Sequence, residues 1–205
     1  MTFAIANAFA YLSVLPSGPI QLDSFESLIA TILRSEGYWV HPSFKVELSK
    51  QEKVEIGIPS SPRWELNLLA YKGGTNEIRV VECKSYLNSQ GVLFSAFAEG
   101  AKFAGRYKLF TKEKIRSTVL NRLGKQLEEC GLCRPSPQIK LCLAAGNIAS
   151  DKDRAALQKH FAENDWLLFD EAWIHEHLEK LGNSAYENDV GVIVAKLYTK
   201  RLRAP

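Results

Sequence analysis

Glu82 and Lys84 stand two residues apart within EIRVVECKSY (77–86), a stretch that otherwise favours a β-strand. Side chains two positions apart in a strand point to the same face, so the carboxylate and the ammonium share one side. Charged groups are costly to bury unless they are paired or bound to a metal. This face is therefore either exposed, where the two residues form a weak ion pair, or part of a functional site.

A second polar pair, Glu65 and Asn67, lies on the preceding predicted strand, RWELNLLAY. These two residues also share a face, and the turn KGGTN predicts a hairpin that brings them beside Glu82 and Lys84. Carboxylate and amide oxygens can bind Mg²⁺, which could activate a water and neutralise phosphodiester charge while the lysine holds the nucleophile. The alternative is that Glu65 and Asn67 simply face solvent.

A cationic stretch follows this hairpin. Between residues 102 and 125 there are eight Lys or Arg residues and one acid, Glu113, in a chain with a net charge of only +3. Such asymmetry is typical of a phosphate-binding face, although a solvated helix surface gives the same pattern. The residues that we predict to contact nucleic-acid phosphates are Lys102, Arg106, Lys108, Lys112, Lys114, Arg116 and Arg122.

The elements that position these residues are predicted from hydrophobic periodicity and turn signals. A helix begins at Asp23, where Asp23-Ser-Phe-Glu26 fits a capping box, and it ends at Gly37. One or two strands with turns follow up to about residue 62, and then comes the hairpin. The later predicted elements are helix in two segments over 92–128, a strand at IKLCLAAG, a helix over 151–163, a strand at WLLFD, a helix from about 171 to 181 and a final helix.

An antiparallel hairpin followed by strand–helix–strand connections predicts an α/β fold with a mixed central β-sheet flanked by helices. The length of 205 residues suits one core of good size, so we expect a single domain over 1–205. Within it we expect an N-terminal helix over 1–20, a core over 23–148, and C-terminal helices with an edge strand over 149–205.

The segments ESLIATILRSEGYWV, PRWELNLLAY and VVECKSY, in this order over roughly residues 23–86, resemble the PD-(D/E)XK phosphodiesterase superfamily. Its fold, the restriction endonuclease-like core, occurs in many restriction enzymes and junction resolvases. The resemblance implies that Glu82 is a metal ligand, that Lys84 is its catalytic companion and that Cys83 contributes its backbone carbonyl. It also implies that Glu26 assists from the first core helix, whereas the capping box alone gives Glu26 a structural role.

One position departs from the family pattern. Asn67 stands where the family has an acidic residue, so metal affinity should fall unless Glu65 supplies the missing carboxylate. We expect a nuclease that cleaves duplex or branched DNA with Mg²⁺ or Mn²⁺, with Glu82, Glu65, Asn67 and Cys83 as candidate metal ligands. A degenerate domain that binds nucleic acid or a protein partner without cleavage is the alternative. A homodimer is also possible.

Four cysteines without regular disulfide spacing indicate a reducing compartment, and we expect a cytoplasmic protein. Cys130-x-x-Cys133 lacks the second pair that a structural zinc site needs, so we expect no zinc. The apolar stretch FAIANAFAYLSVL follows no Lys or Arg and is too short to span a bilayer, which favours a helix packed on the core over a signal peptide, with no membrane contact. His175 and His177 are predicted to be surface residues.

Overall fold

The computed structural model describes residues 23–61, 63–98, 100–185 and 188–202, so the helix predicted over 1–20 lies outside the described residues. Five strands form one sheet in the order of the chain. The strands are β1 (Trp39–Val46), β2 (Trp64–Lys72), β3 (Glu77–Lys84), β4 (Gln138–Ala145) and β5 (Leu167–Phe169). The first three are antiparallel, and β3, β4 and β5 are parallel, which confirms the predicted mixed sheet.

Helices cover both faces of this sheet, as strand–helix–strand connections require. The α-helices of the described part of the chain are α1 (Ser24–Ser35), α2 (Lys50–Glu55), α3 (Lys108–Thr111), α4 (Glu113–Glu129), α5 (Asp151–Glu163), α6 (Glu171–Asn183) and α7 (Val190–Leu202). One buried cluster joins the sheet to α3, α4 and α5, and a second joins the opposite face to α1, α6 and α7. Neighbouring residues of β3 and β4 alternate between the two clusters, as the pleat predicts.

Two segments differ from the sequence prediction. The helix predicted to begin at residue 92 is replaced up to residue 107 by turns and two 3₁₀ segments, Phe94–Phe97 and Ala104–Arg106. Gly100 has a φ of +77°, a left-handed conformation that interrupts a helix. The short helix α2 is an addition to the prediction. Its signal was present in the sequence, because Ser49 and Glu52 form a complete capping box.

The alternation of side chains changes phase in the middle of β2. Leu66 packs in the cluster beside α4, but Leu68, two residues later, packs in the cluster beside α1. A regular strand would place both on one face. The shift occurs at Asn67, opposite Ser43 of β1, whose φ of +49° is left-handed and which interrupts the β1–β2 pairing between Phe44–Leu66 and Pro42–Leu68. This local distortion sets where the Asn67 side chain points.

A half-buried polar network ties α1, α6 and the start of β3 together. Glu36, the C-cap of α1, accepts hydrogen bonds from Arg79 (3.1 Å) and contacts the His177 ring nitrogen at 2.9 Å. Arg79 also donates to Glu77 (2.8 Å) and lies 4.4 Å from the centre of the Tyr38 ring. The prediction that His177 is a surface residue is wrong, because its imidazole is buried in this network.

None of the described helices combines the length and the apolar character that crossing a membrane requires.

Candidate active site

The hairpin strands separate at the end of β3 that carries Glu82 and Lys84. The β2–β3 pairing runs from Lys72–Glu77 to Leu68–Val81 and stops there. Beyond Val81, β3 continues beside β4 only, through Lys84 paired with Ala145. The separation leaves a gap in the sheet. Before Leu68 on β2 and after Val81 on β3, the polar groups that face this gap can make other contacts.

The side chain of Asn67 bridges this gap. Its Oδ1 accepts a hydrogen bond from the backbone N–H of Cys83 at 3.1 Å, and its Nδ2 donates to Oε1 of Glu26 at 2.6 Å. The amide therefore replaces the strand-to-strand bond that ends at Val81, and it connects β3 to the first turn of α1. A buried backbone N–H needs such a partner, so Asn67 has a structural role whatever chemistry the site performs.

Glu82 and Lys84 form an ion pair at the open end of β3. Nζ of Lys84 donates to Oε1 of Glu82 at 2.6 Å, and about a fifth of each side chain is exposed (21% and 23%). Val80 belongs to the cluster beside α4, so alternation places both charged residues on that face of the sheet. Both side chains are therefore half-buried and paired with each other, rather than fully exposed.

Burial is the main cause that raises the pKa of Glu26, and the nearby charge of Asp23 adds to it. The hydrogen bond from Asn67 acts in the opposite direction, and the charge of Glu82 raises the pKa slightly further. Asp23 caps α1 by accepting a hydrogen bond from the Phe25 N–H at 2.7 Å. The first turn of α1 thus brings Glu26 within electrostatic range of Asp23 and, more weakly, of Glu82.

This raised pKa predicts a pH-dependent effect of Glu26→Gln. A carboxyl group whose pKa is higher in the folded protein stabilises the fold fully below its unfolded pKa, and this contribution is lost as pH rises through the folded pKa. Gln keeps the acceptor for Asn67 and carries no charge. Calorimetry in EDTA should therefore find that the Tm of the variant exceeds that of the wild type by a margin that grows from about pH 4 to about pH 7.

The exposed Glu179→Gln in α6 is the matched control for that experiment, and its effect on Tm should not change in the same way. A margin between Glu26→Gln and wild type that stays constant over the pH range would contradict the buried, charge-crowded position of Glu26.

Two tyrosines follow the site in the chain and contact each other. Tyr86, two residues after Lys84, has a φ of +45°, a conformation that costs a non-glycine residue energy and is concentrated at functional sites. The Tyr107 hydroxyl shares a hydrogen bond with that of Tyr86; burial, this bond and the charge of Glu82 raise the pKa of Tyr107. Neither tyrosine follows from the E-x-K pattern, and the one signal in the sequence was the place of Tyr86 two residues after the lysine.

The structure does not bring Glu65 into this cluster. Glu65 is exposed, pairs with Lys45 across the β1–β2 ladder, and lies two residues beyond the phase change at Asn67. Within the described ranges, no three Cys, His, Asp or Glu side chains are grouped as a metal site. The oxygen donors that remain beside the gap are the carboxylates of Glu26 and Glu82 and the carbonyl of Cys83. Mg²⁺ commonly uses one or two carboxylates and completes its shell with water and phosphate, so these groups have the chemistry of Mg²⁺ ligands, with Glu82 on the α4 face of the sheet and Glu26 on α1 at the opposite face.

The predicted phosphate-binding cations fall into two groups. Arg116 donates to the carbonyls of Leu109 and Phe110 and lies 4.9 Å from the Trp166 ring, and Arg122 donates to the carbonyl of Glu47. These two arginines hold the fold together. The exposed members are Lys102, Arg106, Lys108, Lys112 and Lys114.

Arg106 shares a cavity with the two tyrosines described above. The cavity has a volume of about 120 Å³ and is lined by Arg106, Tyr86 and Tyr107. The guanidinium of Arg106 lies 4.7 Å from the centre of the Phe103 ring, a cation–π contact that orients it while leaving its side chain exposed. An exposed cation therefore lies at the cavity that follows β3 in the chain.

No protein-family model, no curated protein and no solved structure matches this chain.

Proposed function

We propose that the protein is a metal-dependent nuclease that hydrolyses phosphodiester bonds in DNA, with a site of the PD-(D/E)XK type. The observation that carries this proposal is the gap between β2 and β3, where Asn67 links Glu26 of α1 to the Cys83 backbone and the residues on either side of Cys83 form the Glu82–Lys84 ion pair. A lysine held beside a carboxylate, with a second carboxylate tied to the same strand, is suited to phosphoryl chemistry.

The residues of the chain divide the work as follows. Glu82 holds the Lys84 ammonium in place, and that ammonium positions the attacking water and balances charge on the phosphate oxygens. Glu26 and Glu82, with the Cys83 carbonyl, would hold Mg²⁺ or Mn²⁺. When bound, the metal lowers the pKa of a water and neutralises phosphate charge. Asn67 fixes Glu26 relative to β3, so that the two carboxylates keep their separation.

The exposed cations would bind the substrate backbone. Lys102, Arg106 and Lys108 follow the site in sequence, and Arg106 shares a cavity with Tyr86, two residues after Lys84. Contacts of this kind bind phosphates without reading bases, and they release counterions from DNA. We therefore expect affinity for DNA to fall steeply with salt and to depend weakly on sequence.

A second candidate function, nucleic-acid or protein binding without cleavage, is favoured by the internal bonding of Asn67. Both polar ends of its amide already have partners, Cys83 and Glu26, and Lys84 already neutralises Glu82. A site whose groups satisfy one another in this way is stable without a cation. In this alternative the gap has no catalytic role, and the exposed lysines and Arg106 bind the partner.

The experiment that separates the two candidates uses the wild-type protein with supercoiled plasmid and with branched oligonucleotides. Nicking or linearisation in Mg²⁺ or Mn²⁺, and none in EDTA, is the expected result. Binding is measured in parallel at several salt concentrations. Salt-sensitive binding without cleavage in either metal would support the non-catalytic candidate. Neither binding nor cleavage would leave protein contact as the remaining role.

A further inference from the structure

The last helix of the described chain, α7, is apolar on two sides, and the described residues cover one of them. Val192 and Ala195 are buried against the cluster beside α1. Val190, Val194, Leu197 and Tyr198 form a second row with exposed fractions of 77%, 54%, 64% and 40%. Positions i, i+4, i+7 and i+8 lie on one face of a helix. A helix that is apolar around most of its circumference is normally buried, so this row needs a partner.

A groove between α1 and α7 runs beside this row. It has a volume of about 500 Å³. Leu28 of α1 and Val190 and Val194 of α7 supply its apolar wall, and Arg34 and Asp189 lie among the polar residues that complete the lining. Thr31 donates to Asp189 at 3.2 Å, which fixes the two helices at this point. The groove therefore begins at the first turn of α1, next to the residue that the preceding chain must reach.

We propose that this groove and the exposed row on α7 are the docking surface for residues 3–15 of the same chain. Residues 1–22 contain no charged residue, and the stretch FAIANAFAYLSVL is almost wholly apolar. An apolar segment of this length is costly to leave in water, and so is the exposed row on α7. Packing the apolar segment against the exposed row on α7 removes both apolar surfaces from water. The inference does not depend on the nuclease activity.

The residues that connect the segment to α1 are long enough to reach the groove and few enough to keep the segment close to it. Residues 16–22 join the segment to Asp23, the N-cap of α1, and seven residues can span at most about 24 Å. The row from Val190 to Tyr198 is about 12 Å long, since a helix rises about 1.5 Å per residue. A tether this short gives the segment an effective concentration of roughly millimolar at the groove, well above that of a second copy in dilute solution.

Limited proteolysis of the full chain tests this proposal. Chymotrypsin cleaves after aromatic residues, and Phe3, Phe9 and Tyr11 all lie in the segment. We expect these sites to be protected in the wild type and to be cut at least about 10-fold faster in Leu197→Glu, which places a charge in the apolar row. The exposed Lys200→Glu on the same helix is the matched control and should leave the protection unchanged.

Light scattering and photo-crosslinking separate the possible occupants. The wild type should be a monomer, and a photoreactive phenylalanine in place of Val194 should form links to residues 3–15 within one chain. Links between two chains, with a dimer that Leu197→Glu dissociates, would show that a second copy covers the row and would overturn the proposal. Equal cleavage in the wild type and in Leu197→Glu, with no link to the segment, would overturn it as well.

Discussion

We expect Lys84→Ala to lower the rate of DNA cleavage by about 10²- to 10⁴-fold, the usual range for removal of a positioned catalytic group. The ammonium of Lys84 is held 2.6 Å from Glu82, and alanine leaves no cation at that point. DNA binding should fall much less, because the exposed cations outside the site remain. Single-turnover cleavage with saturating Mg²⁺, together with a binding titration, measures both quantities.

Lys140→Ala is the matched control. Lys140 lies on the neighbouring strand β4, is also half-buried and also forms an ion pair, with Asp165. In the sheet it lies opposite Arg79, at the other end of β3 from Lys84. Its loss should leave the rate of cleavage within about threefold of the wild type, since an ion pair of this kind contributes little beyond stability. Cleavage that survives Lys84→Ala would remove the assignment of this site.

Asn67→Asp should raise the affinity of the protein for Mg²⁺ and lower the stability of the metal-free protein. The new carboxylate oxygen would face Oε1 of Glu26 at the position where Nδ2 now donates at 2.6 Å. Without metal, loss of this bond and repulsion between two carboxylates should destabilise the fold by about 2 kcal/mol, or about 4–8 °C in Tm. Excess Mg²⁺ should restore this stability, because a ligand at about 100 times its Kd stabilises by about 2.7 kcal/mol.

Thermal unfolding in EDTA and in Mg²⁺ measures the loss of stability and its recovery, and calorimetric titration measures the affinity for the metal. The exposed Asn164→Asp at the end of α5 makes the same change of charge away from the site, and its Tm should not respond to Mg²⁺. If Asn67→Asp lost stability but bound no Mg²⁺, the gap between β2 and β3 would not be a metal site, and the non-catalytic function would be preferred.

Much of the fold could be predicted because its signals are local. Strand–turn–strand patterning predicted the β2–β3 hairpin, and two apolar strands separated by a helix predicted the parallel half of the sheet. The pairing of Glu82 with Lys84 follows from strand alternation alone, which holds wherever the strand is regular. The contact of Glu26 with Asn67 also agrees with the expected order of elements.

The rest of the fold and of the site depends on features that side-chain alternation and secondary-structure propensity do not encode. The link between Glu65 and Asn67 assumed a regular β2, whereas the left-handed Ser43 on β1 accompanies a phase change at Asn67. A charge count could not tell exposed cations from Arg116, whose guanidinium binds two backbone carbonyls. His177 was misplaced because its acidic partner, Glu36, is 141 residues away in the chain.

The network around Glu36 also determines how firmly α1 is held. Arg79 and His177 fasten the C-terminal end of this helix to β3 and to α6, and Asn67 holds Glu26 in its first turn, some 15 Å away at about 1.5 Å per residue. A helix held at both ends resists tilting, so the position of Glu26 relative to β3 is set before any substrate binds.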